Sequence, residues 1–186
     1  MGRLIYSYLA SLDGYVADAH GAFDWAMPSE QVLGFINECE RGVSTYLYGR
    51  RIYEMMAVWE TDPNLAAESP MNAEFAALWR RADKVVFSRT LEDVQTERTR
   101  IARDFDGDTF ERISADAEGD LAVSGATLAA AAWRLGLIDE VQVFFAPMVV
   151  GGGQPMFAAG VRRELVLRDE RRFDNGMVWV QYDVAR

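Results

Sequence analysis

Four short clusters of glycine, hydroxyl or arginine residues stand directly after apolar runs that have the pattern of β-strands. The clusters are Ser11-Leu12-Asp13-Gly14, Gly49-Arg50-Arg51, Ser88-Arg89-Thr90 and Ser124-Gly125-Ala126-Thr127. Ligands of parallel sheets bind beyond the carboxyl ends of the strands, and those ends share one edge of the sheet. The order of residues therefore predicts one ligand site to which the clusters contribute.

These residue types suit a ligand that carries phosphate. Glycine lets an oxyanion approach the backbone, and the first N–H groups of a helix carry partial positive charge. Arginine binds phosphate oxygens through paired hydrogen bonds, and Ser and Thr donate hydroxyl hydrogens. Arginines in two separate clusters indicate more than one phosphate group, as in a dinucleotide with an additional 2′-phosphate. The alternative for each cluster is a turn and a helix cap with solvated arginines.

Several other sites are excluded because the chain lacks a residue that they need. Lys84 is the only lysine, so a Walker lysine is impossible. His20 is the only histidine and Cys39 the only cysteine, which excludes a histidine-based metal cluster and an intrachain disulfide. The triple glycine at 151–153 lacks the third glycine of a Rossmann fingerprint in register. We interpret it as a flexible loop that either closes over a ligand or connects two strands.

Composition limits the class of protein and its partners. The chain has 186 residues, of which 50% are hydrophobic, and a net charge of −10. This predicts one domain over residues 1–186 with one sizeable core. The acidic balance disfavours nucleic acid and anionic membranes as partners, because both bind basic surfaces. No apolar run approaches the roughly 20 residues that span a bilayer, and we expect a cytoplasmic protein.

The elements that must position the clusters alternate between strand and helix up to residue 136 and are mainly strands after it. Strands are predicted at 3–12, 43–48, 84–88, 99–102, 120–124, 139–150, 164–168 and 177–185. Helices are predicted at 29–41, 52–56, 72–82, 109–117 and 125–136. Residues 15–28 and the polar segment with Pro63 and Pro70 are expected to be loops. The pattern predicts an α/β fold with a mostly parallel central sheet, flanking helices and antiparallel C-terminal strands.

Several stretches, taken in order, resemble the C-terminal reductase domain of the bifunctional riboflavin-biosynthesis deaminase/reductase and its stand-alone relatives, which share the dihydrofolate reductase fold. The matching stretches are SLDGYVAD with FDW after it, YGRRIYE, KVVFSRTL, VSGATLAAAAWRLGLIDEVQVFFAPMVVGGGQPMF and the aromatic C-terminal strand. They cover most of the chain, and residues 92–118 match weakly. The resemblance implies an oxidoreductase that uses NADPH as cofactor, acts on a small molecule and forms a homodimer.

The resemblance also implies roles for individual positions. The turn against the cofactor phosphates corresponds to Gly49, Arg50 and Arg51. The segment near the adenosine 2′-phosphate corresponds to Ser88, Arg89 and Thr90. The glycine turn under the pyrophosphate corresponds to Ser124, Gly125, Ala126, Thr127 and Leu128. The acidic residue of the loop beside the nicotinamide and the substrate corresponds to Asp13, which is the predicted catalytic residue.

A reductase must deliver a proton in addition to the hydride that its cofactor carries. The candidate donors are Asp13, Asp24 and Glu30. Aromatic side chains that could stack on a flat heterocycle are Trp25, Tyr53 and Trp59. The residues expected to contact the substrate are Asp24, Trp25, Glu30 and Gly152. Each acid could equally be a turn residue or a first-turn helix acid, and each aromatic side chain a core residue.

We therefore predict an NADPH-dependent reductase of a small heterocycle, either a pyrimidine ribosylamine, as in the uracil reductase step of riboflavin biosynthesis, or a pteridine-like compound. Tyr15 stands where riboflavin-pathway reductases typically carry a lysine, which would suit a phosphorylated ribose. The alternatives are a non-catalytic NADP(H)-binding module and a structural dimer of the same fold. Cofactor binding separates the structural dimer from the other two, and turnover separates the reductase from the binding module.

Overall fold

The computed structural model describes residues 2–185. The strands of this part are β1 Leu4–Ser11, β2 Tyr15–Ala17, β3 Val43–Gly49, β4 Asp83–Phe87, β5 Thr99–Ala102, β6 Asp120–Ser124, β7 Glu140–Ala146, β8 Gln154–Pro155, β9 Leu165–Arg172 and β10 Val178–Val184. The α-helices are α1 Glu30–Glu40, α2 Arg50–Met56, α3 Val58–Thr61, α4 Pro63–Ala67, α5 Pro70–Arg81, α6 Gly107–Asp116 and α7 Ala126–Leu135. A 3₁₀ helix covers Asp24–Ala26.

An eight-stranded sheet in the order β5-β4-β3-β6-β1-β7-β10-β9 carries the other elements. The first six of these strands are mutually parallel. β10 pairs antiparallel with both β7 and β9, and β2 pairs antiparallel with β8 in a separate two-stranded sheet. The predicted α/β fold with a mostly parallel sheet and antiparallel C-terminal strands is confirmed.

Local signals explain where the helices begin. Ser29 precedes α1, and its Oγ accepts a hydrogen bond of 3.4 Å from the N–H of Val32. Ser69 precedes α5, and its Oγ accepts a hydrogen bond of 3.1 Å from the N–H of Asn72.

The longest helix, α5, has 12 residues. No helix within residues 2–185 is long and apolar enough to cross a membrane.

Apolar side chains cover both faces of the sheet. One cluster lies between the sheet and α1, α2 and α5, and it includes Trp79, Phe144 and Trp179. The other lies between the sheet and α6 and α7, and it includes Tyr6 and Trp133. Because both faces are covered, the central strands are apolar on both sides, which is why they appear in the sequence as continuous apolar runs.

Two of the predicted loops are wrong. The segment 15–28 contains β2 and the 3₁₀ helix, because β2 pairs with β8, which is far away in the sequence. Pro63 and Pro70 do not mark a loop but stand at the first position of α4 and α5, where a missing N–H costs nothing. The carboxylate of Asp62 caps α4 by accepting a hydrogen bond of 2.9 Å from the N–H of Asn64.

The chain's single lysine is enclosed by the elements that pack on β4. Lys84 has no solvent-exposed surface. Its Nζ donates a hydrogen bond of 3.2 Å to the carbonyl oxygen of Trp79, lies 4.3 Å from the centre of the Trp79 ring and 3.9 Å from Glu60 Oε2. Burial lowers the pKa of Lys84. The ammonium group thus ties β4 to α3 and α5.

Candidate active site

The predicted clusters lie side by side at one edge of the sheet. They follow β4, β3, β6 and β1, which are consecutive neighbours in the sheet and parallel to one another. With about 4.8 Å between strands, the row of four turns extends over roughly 14 Å. The chain moves outward from β1 to β5 and then returns to the centre at β6, so its direction across the sheet reverses at this point. Such a reversal is the usual ligand site of an open α/β sheet.

Two glycine turns contact each other in the middle of this row. Gly125 has a φ of 105°, a conformation that residues with side chains rarely adopt. A Cβ atom at Gly125 would lie 3.5 Å from the backbone nitrogen of Gly49 and 3.5 Å from Cγ1 of Ile52. The N–H of Gly125 donates a hydrogen bond to the hydroxyl of Tyr8. Burial raises the pKa of Tyr8 to about 12, so this hydroxyl remains neutral.

Backbone groups beside this contact are able to receive an anion. The first N–H groups of α7, at Ala126, Thr127 and Leu128, have no acceptor within the helix. Thr127 is exposed, and a Cβ atom at Gly49 would meet no atom within 4 Å, so space is open above both turns. Ser124 is half-buried at the end of β6. The structure therefore places the predicted pyrophosphate-binding residues around one open surface.

Arg50 connects the turns after β3 and β4. It donates a hydrogen bond of 3.1 Å to Thr90 Oγ1 and forms an ion pair of 2.7 Å with Glu54. Ser88 Oγ accepts hydrogen bonds from the N–H groups of Thr90 at 3.2 Å and Leu91 at 3.0 Å, which closes the second turn. The structure thus brings Arg50, Ser88 and Thr90 together as predicted.

Arg103 also belongs to this region, although the sequence analysis did not find it. Its guanidinium donates hydrogen bonds to the carbonyl oxygens of Ser88 at 3.0 Å and Leu91 at 2.8 Å. Arg103 lies in the weakly matched segment 92–118 and directly follows β5. The position of Arg103 was the signal that could have revealed it, because the carboxyl end of β5 lies at the same edge of the sheet as the four clusters.

Two arginines present their charge to solvent at this edge. Arg51 is exposed and has no ion-pair partner within residues 2–185. Arg89 pairs with Asp104, but their side chains are 80% and 58% exposed. Exposed ion pairs of this kind contribute little stability, so Arg89 is able to exchange its partner for a phosphate group. This edge is therefore locally basic on a chain whose net charge is −10.

Asp13 is bound to the glycine-rich loop. Its carboxylate accepts hydrogen bonds from the N–H groups of Gly151 at 2.8 Å and Val150 at 3.2 Å. The pKa of Asp13 lies below its usual range, chiefly because of the Ser11 hydroxyl and also because of these N–H groups. An exposed carboxylate that is stabilised in its charged form holds a loop well but donates protons poorly.

The glycine-rich loop connects β7 to the small sheet. A Cβ atom at Gly153 would lie 2.2 Å from the carbonyl oxygen of Ala17, so only glycine allows β8 to approach β2 this closely. Gly152 lies in the same loop, beside the residues that Asp13 holds. The structure thus gives the triple glycine a connecting role, and it places Gly152 close to the end of β1.

The other predicted substrate residues do not line the apolar cavity of this region. Asp24 is exposed at the start of the 3₁₀ helix, and Glu30 is exposed at the first position of α1. Trp25 packs against the core, and its Nε1–H donates a hydrogen bond of 3.2 Å to Ala22 O. Tyr53 and Trp59 are also core residues: Tyr53 bonds to Thr96 at 3.0 Å, and Trp59 contacts the Phe75 ring.

A cavity of about 150 Å³ lies beside the two glycine turns, between the sheet and α1, α2 and α5. Ile52 and Ser124 line it and also flank the turns, so the cavity and the open edge adjoin. Asp13, Asp24 and Glu30 do not line it. The acid that does line it is Glu40, at the last position of α1.

Glu40 is the functional candidate that the sequence analysis missed. The hydroxyl of Tyr46 donates a hydrogen bond of 2.8 Å to Glu40 Oε2. Burial raises the pKa of Glu40 to about 7, whereas the Tyr46 hydroxyl acts in the opposite direction. The available signal was helical spacing, because Glu40 follows Leu33 and Ile36 by seven and four positions. This spacing places Glu40 on the inward face of α1, where it is half-buried.

The sheet order and the flanking helices define a dihydrofolate reductase-like fold, and the row of turns with the adjoining cavity is its candidate ligand site. The chain belongs to the RibD C-terminal domain family, whose model matches residues 3–179. This membership supports an oxidoreductase role and a pyrimidine reductase-like function. The resemblance that the sequence analysis identified is confirmed.

Individual relatives agree with this placement. The chain is 27% identical over 190 residues to the uncharacterized protein YyaP of Bacillus subtilis (strain 168), covering 97% of this chain and 94% of YyaP. A putative riboflavin biosynthesis protein from Shewanella sp. PV-4 has a similar structure, with a TM-score of 0.77, 21% identity and 99% of both chains covered. The deaminase/reductase of Thermotoga maritima has a TM-score of 0.65 and 17% identity, and this chain spans 57% of it.

Proposed function

We propose that the protein is an NADPH-dependent reductase of a small heterocyclic compound. The observation that carries the proposal is the contact of the Gly49 and Gly125 turns beside a cavity that an acid lines. This arrangement offers an edge that suits phosphate groups and, next to it, a partly open apolar site for an acceptor. The general NADPH dependence of RibD-type reductase domains supports the same cofactor here.

The residues at the edge fit NADPH. The N–H groups of Ala126, Thr127 and Leu128 and the open space above Gly49 suit the pyrophosphate. Arg51 and Arg89 are free or weakly paired and suit the 2′-phosphate, with Ser88 and Thr90 as hydroxyl donors nearby. When bound, NADPH would supply the hydride. The chain's own part would be to orient the reactants, exclude water and deliver a proton.

Titration of the five tryptophans' fluorescence with NADPH and with NADH tests this proposal. We expect NADPH to bind more tightly than NADH. Arg51→Ala or Arg89→Ala should weaken NADPH binding by about tenfold or more, because each removes a charged hydrogen-bond donor, and should hardly change NADH binding. The control is Arg172→Ala, which removes an equal charge from the exposed strand β9 at the opposite side of the sheet.

Two results would contradict the proposal. The first is that neither dinucleotide binds. The second is that NADPH and NADH bind equally and the two arginine variants behave like Arg172→Ala, which would leave the arginines as ordinary solvated surface.

A further inference from the structure

The size of the cavity limits what it accepts. A protein cavity of about 150 Å³ is large enough for a single benzene ring, and this cavity has about that volume. Aromatic walls are formed by Tyr46, Tyr48, Phe75 and Phe144. These walls suit a flat ring, because aromatic faces and edges pack against one another favourably.

The charge of the cavity limits its occupant further. Lysine, arginine and histidine are absent from its lining, and Glu40 is its one carboxyl group. A phosphate group inside would meet an acid and no counter-charge, and a buried charge without a partner is strongly unfavourable. The polar atoms present are hydroxyls, at Ser7 and Ser124 among others, and they suit an uncharged group.

The geometry of Glu40 suits proton donation. Oε2 accepts the hydrogen bond from Tyr46. Oε1 has no hydrogen-bond partner within residues 2–185, so it is the oxygen that is able to carry and donate a proton. Tyr46 is 4% exposed and its ring stacks on Tyr48 with 5.4 Å between ring centres, which fixes the hydroxyl in place.

We propose that this cavity is the acceptor site of the reductase, that it takes a single flat ring bearing a conjugated carbonyl or imine group and no phosphate, and that Glu40 is its proton donor. Tyr46 is then a positioning residue that acts through Glu40. This inference rests on the proposed function, because the hydride must come from NADPH.

A carbonyl acceptor would be reduced to an alcohol in this site. The acceptor carbon gains the hydride, and the C=O π bond breaks toward oxygen. Oxygen then takes the proton from Glu40 Oε1, and an alcohol forms. NADPH is oxidised to NADP⁺, and the carboxylate of Glu40 regains a proton from water. An imine acceptor gains the proton on nitrogen instead and becomes an amine.

The hydroxyl and thiol groups near Glu40 stay neutral around pH 7. Burial raises the pKa of Tyr8 and Cys39 to about 12 each and that of Tyr46 and Tyr48 further above its usual range. The charged residues around Glu40 are Glu38, Arg41, Glu74 and Arg81 on or beside α1 and α5, Glu140 on β7 and Arg171 on β9. Arg41 and Glu74 form an ion pair of 2.8 Å with each other at the surface. A pH step near neutrality therefore reports on Glu40.

Ligand binding to the cofactor-free protein tests the acceptor site without turnover. Benzamide is a single flat ring with an unreactive carbonyl group, and phenyl phosphate is a ring of similar width with a phosphate. By calorimetry at pH 6 we expect benzamide to bind at least tenfold more tightly than phenyl phosphate. Benzamide binding should weaken as the pH rises through about 7, and Glu40→Gln should remove this pH dependence.

Reduction of benzaldehyde by NADPH tests the proton donor. Glu40→Gln should lower kcat by about 100-fold or more, while benzamide still binds. Tyr46→Phe should move the decrease in kcat to higher pH, because the lost hydrogen bond had favoured the carboxylate form. A merely structural role for Tyr46 would not shift this pH profile. The matched control is Glu38→Gln, which makes the same change on the exposed side of α1.

The outcomes separate the two proposals. Phenyl phosphate binding as tightly as benzamide, or no binding by either compound, would overturn the acceptor site. Benzaldehyde reduction that is unaffected by Glu40→Gln would overturn the proton donor. If benzamide binds with the expected pH dependence but NADPH neither binds nor reacts, the proposed function and the proton transfer are overturned, and the cavity stands as a ligand site of another kind.

Discussion

Gly125 combines an unusual backbone conformation with a close neighbour. An alanine at this position would have to hold a φ of 105° and place its Cβ atom 3.5 Å from Gly49 N. We expect Gly125→Ala to lower the free energy of unfolding by about 1 to 3 kcal/mol and to weaken NADPH binding. Urea denaturation and fluorescence titration measure the two effects.

The control for this change is Gly107→Ala. Gly107 is the first residue of α6, has no positive φ, and a Cβ atom there would meet nothing within 4 Å. The substitution Gly107→Ala should leave the free energy of unfolding unchanged or raise it slightly. Equal stability of the two variants would contradict the role assigned to the Gly125 turn.

Glu40 makes stability depend on pH. Its pKa is raised from 4.5 to about 7 by burial, so the folded chain keeps a proton that the unfolded chain releases at lower pH. The free energy of unfolding should therefore decrease as the pH rises from about 4.5 to about 7 and level off above it. The difference in free energy of unfolding between Glu40→Gln and wild type should increase by at most about 3 kcal/mol over this pH range.

Urea denaturation of both proteins at pH 5 and pH 8 measures this gain. Taking the difference between the two proteins cancels the contributions of other carboxylates, such as Asp13 and Glu74, whose lowered pKa values act in the opposite direction at acidic pH. A constant difference across the range would show that the pKa of Glu40 is not raised in the folded chain.

Single residues could be predicted from sequence where their role depends on a strand end. Gly49, Arg50, Ser88 and Gly125 end a strand or directly follow one, so identifying the strands was enough to bring them to one edge. Glu40 could not be found in this way. It stands at the far end of α1 from Glu30, about 15 Å along the helix, and its importance depends on Tyr46 and on a cavity formed by several elements.

At the scale of elements, one hydrogen bond joins α5 to β3. The indole N–H of Trp79 donates to the hydroxyl of Tyr48 at 3.0 Å, and the two residues are 0% and 2% exposed. Tyr48→Phe leaves a buried N–H without an acceptor and should cost about 1 to 3 kcal/mol of stability. Chemical denaturation measures this loss of stability. Tyr182→Phe in β10 is the control, because the Tyr182 hydroxyl makes no hydrogen bond within residues 2–185. An equal loss of stability in Tyr182→Phe would show that the hydrogen bond from Trp79 is not the cause of the loss in Tyr48→Phe.

Elements with strong local signals were predicted closely. The bounds of β6 agree with the prediction, because a short apolar run flanked by polar residues defines it. The bounds of β5 also agree, although its residues, TRIA, carry only a weak strand pattern. The short elements were missed because their causes are not local. β2 and β8 exist only through their pairing, and α3 and α4 fold in a segment whose prolines were taken to mark a loop, although Pro63 suits a helix start.

At the scale of the whole molecule, β9 leaves an open edge. It is the last strand of the sheet, and every residue after Leu165 in this strand is exposed, including Val166 and Leu167 at 48% and 53%. Open edges pair readily with another strand. We propose that two chains form a homodimer through β9.

Light scattering of the wild-type protein should then give twice the mass of one chain. Leu167→Lys should have the mass of one chain, because it places a charge in the contact between the two β9 strands. Leu135→Lys, which changes a leucine of similar exposure at the end of α7, should leave the dimer intact. A wild-type protein with the mass of one chain would contradict the proposal.

The enclosed lysine makes the chain its own reporter of unfolding. Reagents that acylate amines need a free, neutral amine, and Lys84 offers one only when β4 separates from α5. Because the chain has no other lysine, acylation of a lysine side chain measures that single opening event. Its rate, compared with that of an exposed lysine, gives the equilibrium constant of the opening without any denaturant. Ligands that stabilise the fold should slow this acylation in proportion to their occupancy.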